Sequence, residues 1–391
     1  MKILQICNKS PYPVKEGGPI AMNALTESLL QLGHQVKILA VNTPKYHVDK
    51  ENVDAGYLQR TQIEWVDIDT NFSVKGALVC LLKNQSYHVK RFYSKTFEKK
   101  LIEILRQQFD IVILETVYMA VYYDIIRKNS SAKIVLRSHN VEHKIWQRVG
   151  ENTKNPVKRC YIHILARQLK NFEQKMAQKC NAVWTISQYD RQFFASFAPV
   201  EVLPFATNLP AKVEASKEKK NLFMLGSMDW QPNIEGTLWF VYEIFPLICT
   251  QFPNIQLKIA GRNIPHQWYN IKHPNIEIVG EVPSAKQFMQ ENGALVVPLL
   301  SGSGIRIKIV EALSLGKTVI TTTIGKEGLD VCSGKHLFIA DNAKQFAQAV
   351  KTYLEDEALC GQMSANAVEY IQENHSYSVI NKRLEQLLAK L

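Results

Sequence analysis

Long hydrophobic runs are missing from this 391-residue chain: none approaches the roughly 18 apolar residues that span a bilayer. The opening Met1-Lys2-Ile3-Leu4-Gln5-Ile6-Cys7-Asn8-Lys9 breaks off too soon for a secretory signal. Cysteine pairs are missing too. The seven cysteines are odd in number, scattered and never spaced C-x-x-C, which argues against a cysteine metal site and predicts a reduced, cytoplasmic protein. No nucleic-acid-binding module is recognisable, so nucleic acid is not an expected partner. Two phosphate-loop motifs are incomplete. Gly302-Ser303-Gly304 lacks the third glycine of a dinucleotide fingerprint, and Gly316-Lys317-Thr318 has Glu311 where a P-loop needs its first glycine.

What remains is an ordinary globular composition, 46% hydrophobic and 21% charged, long enough for two or three domains. The net charge of +11 is uneven. Residues 1–205 hold 29 Lys and Arg against 18 Asp and Glu, whereas residues 206–391 hold 18 of each. The basic half suits an anionic membrane surface on the inner face of the cell membrane, or is simply a basic soluble domain. Within it, 72–93 mixes apolar bulk with Lys75, Lys83, Lys90 and Arg91. A core helix followed by a basic loop is the first expectation there, an interfacial helix the second.

Strand-like runs occur at 2–7, 36–42, 63–68, 110–115, 132–137, 182–187 and 200–205, with helical stretches at about 19–32, 90–108 and 158–178. Pro210 and a charged stretch then interrupt the pattern at 209–220, which reads as a linker. A second series follows: strands at 221–226, 255–260, 276–280, 294–299, 318–323 and 336–340, with helices at 233–250, 284–292 and 305–315. The fold class expected is α/β, two doubly wound parallel-sheet domains at 1–208 and 221–376 with a ligand cleft between them. Trp230 and Trp239, Tyr122 and Tyr123, and Phe193 and Phe194 read as core; Pro246 should end or kink its helix, and Asn233 could cap one or touch a ligand.

The chemistry concentrates in Ser301-Gly302-Ser303-Gly304-Ile305-Arg306-Ile307-Lys308-Ile309-Val310-Glu311. A Gly-rich turn opens a helix that carries Arg306 and Lys308 at its start, where the macrodipole favours acids. A diphosphate above them would reverse that penalty. Lys308 and Glu311, three apart, share a helical face. They form either a surface ion pair or a nucleotide grip, with Glu311 accepting from ribose hydroxyls.

This block, with Glu311-Ala-Leu-Ser-Leu-Gly-Lys-Thr-Val319 and Thr323-Ile-Gly-Lys-Glu-Gly-Leu329, resembles the donor site of glycosyltransferase family 4. Gly226-Ser-Met-Asp-Trp-Gln-Pro-Asn233, Gly236, Ile259-Ala-Gly-Arg262, Val279-Gly-Glu-Val-Pro283 and Pro11-Tyr-Pro-Val-Lys-Glu-Gly-Gly18 are similar to further family segments, in the family's order. The resemblance implies a GT-B fold and retaining transfer from a nucleoside-diphosphate sugar to a glycan or lipid-linked hydroxyl, in cell-surface polysaccharide, lipopolysaccharide or glycolipid assembly. It implies donor contacts from Gly17, Gly18, Gly226, Arg262, Gly302, Ser303, Gly304 and Glu311. Arg306 and Lys308 would face the diphosphate, domain closure would exclude water, and no cofactor or metal is expected. Glu311 matches the second acid of the family's E-x7-E motif, while Ser303 stands where the first acid belongs. The helix at 377–391 is implied to return to the first domain.

His139 follows a strand-like run in Arg137-Ser-His-Asn-Val-Glu-His143. The resemblance makes it a cleft histidine that approaches the donor sugar. His139, Glu142 and His143 also match H-x-x-E-H, the zinc-peptidase spacing, although one helix should then carry all three. A nucleotide-sugar epimerase of the same fold and a non-catalytic anion binder complete the alternatives.

Overall fold

A computed structural model describes residues 1–14, 16–210, 220–302 and 304–391, and counts below refer to these. Residues 211–219 of the expected linker, and Ser303, lie outside the described residues. The chain divides into two compact units, Met1–Ala206 with Ile380–Leu391, and Thr207–Val379.

In the first unit β1 (Lys2–Cys7), β2 (Gln35–Asn42), β3 (Glu64–Asp67), β4 (Ile111–Glu115), β5 (Lys133–Ser138), β6 (Ala182–Thr185) and β7 (Val200–Val202) form one parallel sheet. Its order is β3-β2-β1-β4-β5-β6-β7. The strands read as unbroken apolar runs because helices cover both faces; all five residues of β4 are buried. Helix Gly17–Gln31 crosses from β1 to β2 and ends before Gly33, which has φ +75°. It starts at Gly17, two residues earlier than its apolar pattern indicates, because Gly17 and Gly18 have no side chains to register in that pattern. Helix Tyr377–Ala389 reaches this unit, where Asn381 Nδ2 donates to Gln31 Oε1 at 2.9 Å and Lys390 Nζ pairs with Glu201 Oε1 at 2.8 Å.

The second unit repeats the plan with β8 (Leu222–Leu225), β9 (Leu257–Ala260), β10 (Ile276–Gly280), β11 (Ala294–Val297), β12 (Val319–Thr321) and β13 (Phe338–Ile339), ordered β10-β9-β8-β11-β12-β13. Strand ends are shorter than the apolar runs that mark them, since those runs continue into buried loops. Pro246 lies in the first turn of a fresh α-helical segment, Phe245–Gln251, with the regular helix interrupted just before it. A π-turn at Phe240–Ile244 joins Gln231–Trp239 to Phe245–Gln251, absorbing the hydrogen bond that proline cannot donate. Trp239 packs edge-on against Phe346, 5.6 Å between ring centres, as a core residue.

Each sheet reverses its winding once, between β1 and β4 and between β8 and β11. Beyond the carboxyl ends of such strand pairs lies the crevice in which doubly wound sheets collect ligands.

Candidate functional site

At the β8/β11 crevice the loops after three strands converge on one helix. Arg306 has extended backbone and caps helix Ile307–Ser314, so the helix begins two residues later than its pattern suggests. Lys308 lies in its first turn and Glu311 one turn on. Gly302 and Gly304, at φ +107° and +84°, hold turn conformations open to glycine. A Cβ on Gly302 would come within 2.9 Å of Arg306 Nη2 and 3.0 Å of the Trp230 ring. Trp230 is therefore a site residue and not core: half-buried, it lies 5.1 Å beneath the Arg306 guanidinium. Arg306 Nη1 donates to Gly304 O at 2.8 Å.

Lys308 reaches back across the crevice. Its Nζ donates to Leu225 O at 2.9 Å, the last residue of β8, and to Asn233 Oδ1 at 3.0 Å. Asn233 Nδ2 in turn donates to Ser227 O at 2.8 Å. Asn233 thus caps no helix; Trp230 occupies that position. Its contact explains Gly226, where a Cβ would meet Asn233 Nδ2 at 2.8 Å and Lys308 Nζ at 3.0 Å. Arg262 sits on the neighbouring loop after β9, and its carbonyl accepts from Met228 N at 2.8 Å. A small pocket lined by Leu225, Asn233, Gly236, Pro298 and Lys308 opens here. Helix and loop approach closely enough at Gly236 that a Cβ would lie 2.4 Å from Pro298 O.

Lys308 and Glu311 do not pair with each other, which removes the surface ion-pair reading. Among the described residues no hydrogen bond to the Glu311 carboxylate is formed. Burial, and then the Arg306 charge, pull the Lys308 ammonium down to about 7. Burial pushes the Glu311 carboxyl up to about 7. An anion beside Lys308 and hydroxyl donors beside Glu311 would each favour the charged form.

In the first unit, strand register builds a different centre. Glu115 closes β4 opposite Arg137 of β5 and Cys7 of β1. The fully buried Glu115 accepts from Arg137 Nη1 at 3.3 Å, Gln5 Nε2 at 2.7 Å and His139 Nε2 at 2.6 Å. Thr26 Oγ1 completes the chain by donating to Gln5 Oε1 at 2.7 Å. Burial alone would raise the Glu115 pKa, but Arg137 and the His139 contact bring it below the usual carboxylate range. Burial outweighs Glu115 at His139, whose pKa is lowered, so the ring is neutral at pH 7. With Nε2–H donated to the carboxylate, Nδ1 is the acceptor side of the ring. Thr116, the next residue, sits at φ +72°. Gly17 and Gly18 open helix Gly17–Gln31 after β1; a Cβ on Gly18 would meet Lys9 Cε at 3.0 Å, and Lys9 Nζ pairs with Glu16 Oε2 at 3.0 Å.

The zinc-peptidase alternative is overturned. His139 precedes the helix, which runs Glu142–Glu151, and its Nε2 is held by Glu115. His143 Nδ1 meets the fully buried Glu173 Oε2 at 2.6 Å instead. Among the described residues no three His, Cys, Asp or Glu side chains gather into a metal site. One Asp-x-Asp occurs, Asp67-Ile68-Asp69 at the end of β3; Asn42 Nδ2 donates to Asp67 at 2.9 Å and Asn71 N to Asp69 at 2.9 Å.

Comparison with known proteins places this geometry. The family model for glycosyl transferases group 1 matches residues 219–356, within the second unit. A Klebsiella pneumoniae relative, described as an uncharacterized 44.6 kDa protein in cps region, is 24% identical over 395 residues, covering 96% of each chain. Anabaena HepE, solved with UDP and glucose, superposes with a TM-score of 0.68 over 99% of both chains at 12% identity. Sucrose-phosphate synthase from Thermosynechococcus elongatus gives 0.71 at 15% identity, over 100% of this chain and 99% of that one. A TarM variant from S. aureus, solved with UDP among its ligands, gives 0.71 at 10% identity over 99% of both. The fold is GT-B. The chain is a glycosyltransferase, a transferase of EC 2.4.

Proposed function

We propose that this glycosyltransferase is a retaining enzyme of the family 4 type. It takes a nucleoside-diphosphate sugar, with UDP-sugars the first to test, and adds the sugar to a glycan or lipid-linked hydroxyl in capsule or related polysaccharide assembly. The observation that carries the reading is Lys308: a half-buried ammonium, held by two neutral oxygens and pulled down to about 7, beside Arg306 and a glycine turn. HepE has been solved with UDP-glucose, and the Klebsiella relative comes from a cps region; both support the choice of donor and setting.

In this proposal negative charge grows on the departing diphosphate while the anomeric carbon becomes oxocarbenium-like. Fixed cations aimed at that charge stabilise the transition state without reorganising. Arg306 and Lys308 supply them, with the backbone N–H of Gly304, so no divalent ion is required. Glu311 accepts from the ribose hydroxyls, and Gly226 and Arg262 border the nucleotide. Ser303 stands in the sequence position of the family's first acid. In the first unit neutral His139 offers Nδ1, and Gly17 and Gly18 offer backbone N–H groups, to a ligand at the carboxyl ends of β1 and β5.

Calorimetry with UDP, GDP, ADP and TDP, followed by slow hydrolysis of the matching sugar donors, tests the reading. Binding of one nucleoside diphosphate, weakened in Lys308→Ala, is expected. Absence of binding to all four overturns it, and conversion of the donor alone into its epimer assigns the epimerase chemistry instead.

A further inference from the structure

Helices in the first unit turn their large apolar side chains inward; Lys95–Leu105, for example, buries Phe97, Leu101, Ile104 and Leu105. Helix Val74–Leu82 does the reverse. It buries the small Ala77 and Cys80 against Tyr87 and Leu165. Val74, Leu78 and Leu82, spaced four apart and therefore in one stripe, are 65%, 56% and 87% exposed. A core helix would bury that stripe, so the expectation of a core helix fails here. Phe72, immediately before the helix, is also exposed.

The patch extends onto a second helix. Tyr161 of Pro156–Lys179 packs against the same small cluster, and Val157, one turn earlier on the same face, is exposed beside exposed Lys158 and Arg159. Charge around the stripe has one sign. No acidic residue occurs between Asp69 and Glu98, whereas Lys75, Lys83, Lys90 and Lys95 are exposed.

We propose that helix Val74–Leu82 is an interfacial anchor that inserts its Val74–Leu78–Leu82 stripe into an anionic phospholipid surface. Hydrocarbon would take the apolar stripe while headgroup phosphates meet the lysines. A nucleic-acid polyanion offers nothing to the stripe. A second copy of the chain would bring Lys75 and Lys83 against their own equivalents in a two-fold contact, which like charges oppose. Lipid is the occupant that satisfies both halves of the patch.

Co-sedimentation of the full chain with phosphatidylcholine vesicles, with and without roughly 30% phosphatidylglycerol, tests this directly. Binding to the anionic vesicles, weakened in about 0.5 M salt, is expected. The combined variant Val74→Ser, Leu78→Ser, Leu82→Ser should bind at least about tenfold more weakly while melting at the same temperature, because the replaced side chains are exposed. Lys75→Glu with Lys83→Glu should abolish the preference for anionic lipid. Equal binding of the serine variant and the parent, or no vesicle binding by the parent, overturns the proposal. So does light scattering that shows a dimer reduced to a monomer by the serine substitutions. The readout is lipid, not nucleotide: retained UDP calorimetry in the serine variant separates failure here from failure of the donor-site reading.

Discussion

The two units bury ionisable groups on opposite terms. In the first, Glu115 sits among Arg137, His139 and Gln5, so that a carboxylate removed from water is compensated on several sides. In the second, the Lys308 ammonium is met only by the Leu225 carbonyl and the Asn233 amide oxygen, and Glu311 by no hydrogen-bond donor among the described residues. In the first, the carboxylate has its partners as folded, although Arg137 Nε has none. In the second, the charged forms of Lys308 and Glu311 are disfavoured, because burial without a counter-charge opposes ionisation. A buried charge already compensated holds the fold together; one left uncompensated is where a counter-charge can gain most.

Substitution should separate the two. The largest effect is expected at Glu115→Ala, which strips the partner from the buried Arg137 and should cost about 3–5 kcal/mol in denaturant unfolding. UDP calorimetry of the surviving folded protein should be unchanged; lost nucleotide affinity would break the comparison. Lys308→Ala should do the opposite. Turnover should fall roughly 100- to 1000-fold, the range for removing one transition-state donor, with the melting temperature unchanged or raised. A large loss of stability there would mean that Lys308 is structural after all. Gly236→Ala should cost about 1–3 kcal/mol by overpacking, since the new Cβ would press on Pro298 O. Its melting curve checks this.

The smallest effect is a pH dependence whose sign follows from Lys308. In the unliganded protein this group loses its proton near 7, and a bound diphosphate would restore it. UDP affinity should therefore fall as pH rises above about 7, by up to about tenfold per unit, with proton uptake measurable by calorimetry in buffers of different ionisation enthalpy. Lys308→Ala should flatten that slope. Stability moves differently. Lowered from 10.5, Lys308 makes the unliganded fold gain stability as pH rises between about 7 and 10.5. Raised from 4.5, Glu311 contributes stability that is full below 4.5 and lost as pH rises through about 7.

Reading the chain residue by residue recovered the alternation of strands and helices and the glycine turn before Arg306, but not the partners that define either centre. Asn233 carries no signal that it will hold Lys308, for it lies 75 residues away. Trp230 resembles any core tryptophan until Gly302 is seen to admit its ring under Arg306. Glu115 and Arg137 did carry a signal: Glu115 ends an otherwise apolar strand and Arg137 stands next to last in another, both buried, a costly place for a charge unless another lies opposite. The outward face of Val74–Leu82 was misjudged because its apolar period is that of a buried helix, and period alone does not say which way a face points.

Sequence by itself determined the local terms of this protein. Apolar runs with helices between them make parallel strands, and glycine at φ +107° and +84° makes the turn before Arg306. Only the tertiary structure decided which charges are satisfied. Strand register sets Glu115 opposite Arg137, and the end of β8 and Asn233 of the following helix close on Lys308. Burial and neighbouring charge depend on what surrounds a group in space, and that surrounding comes from distant parts of the chain.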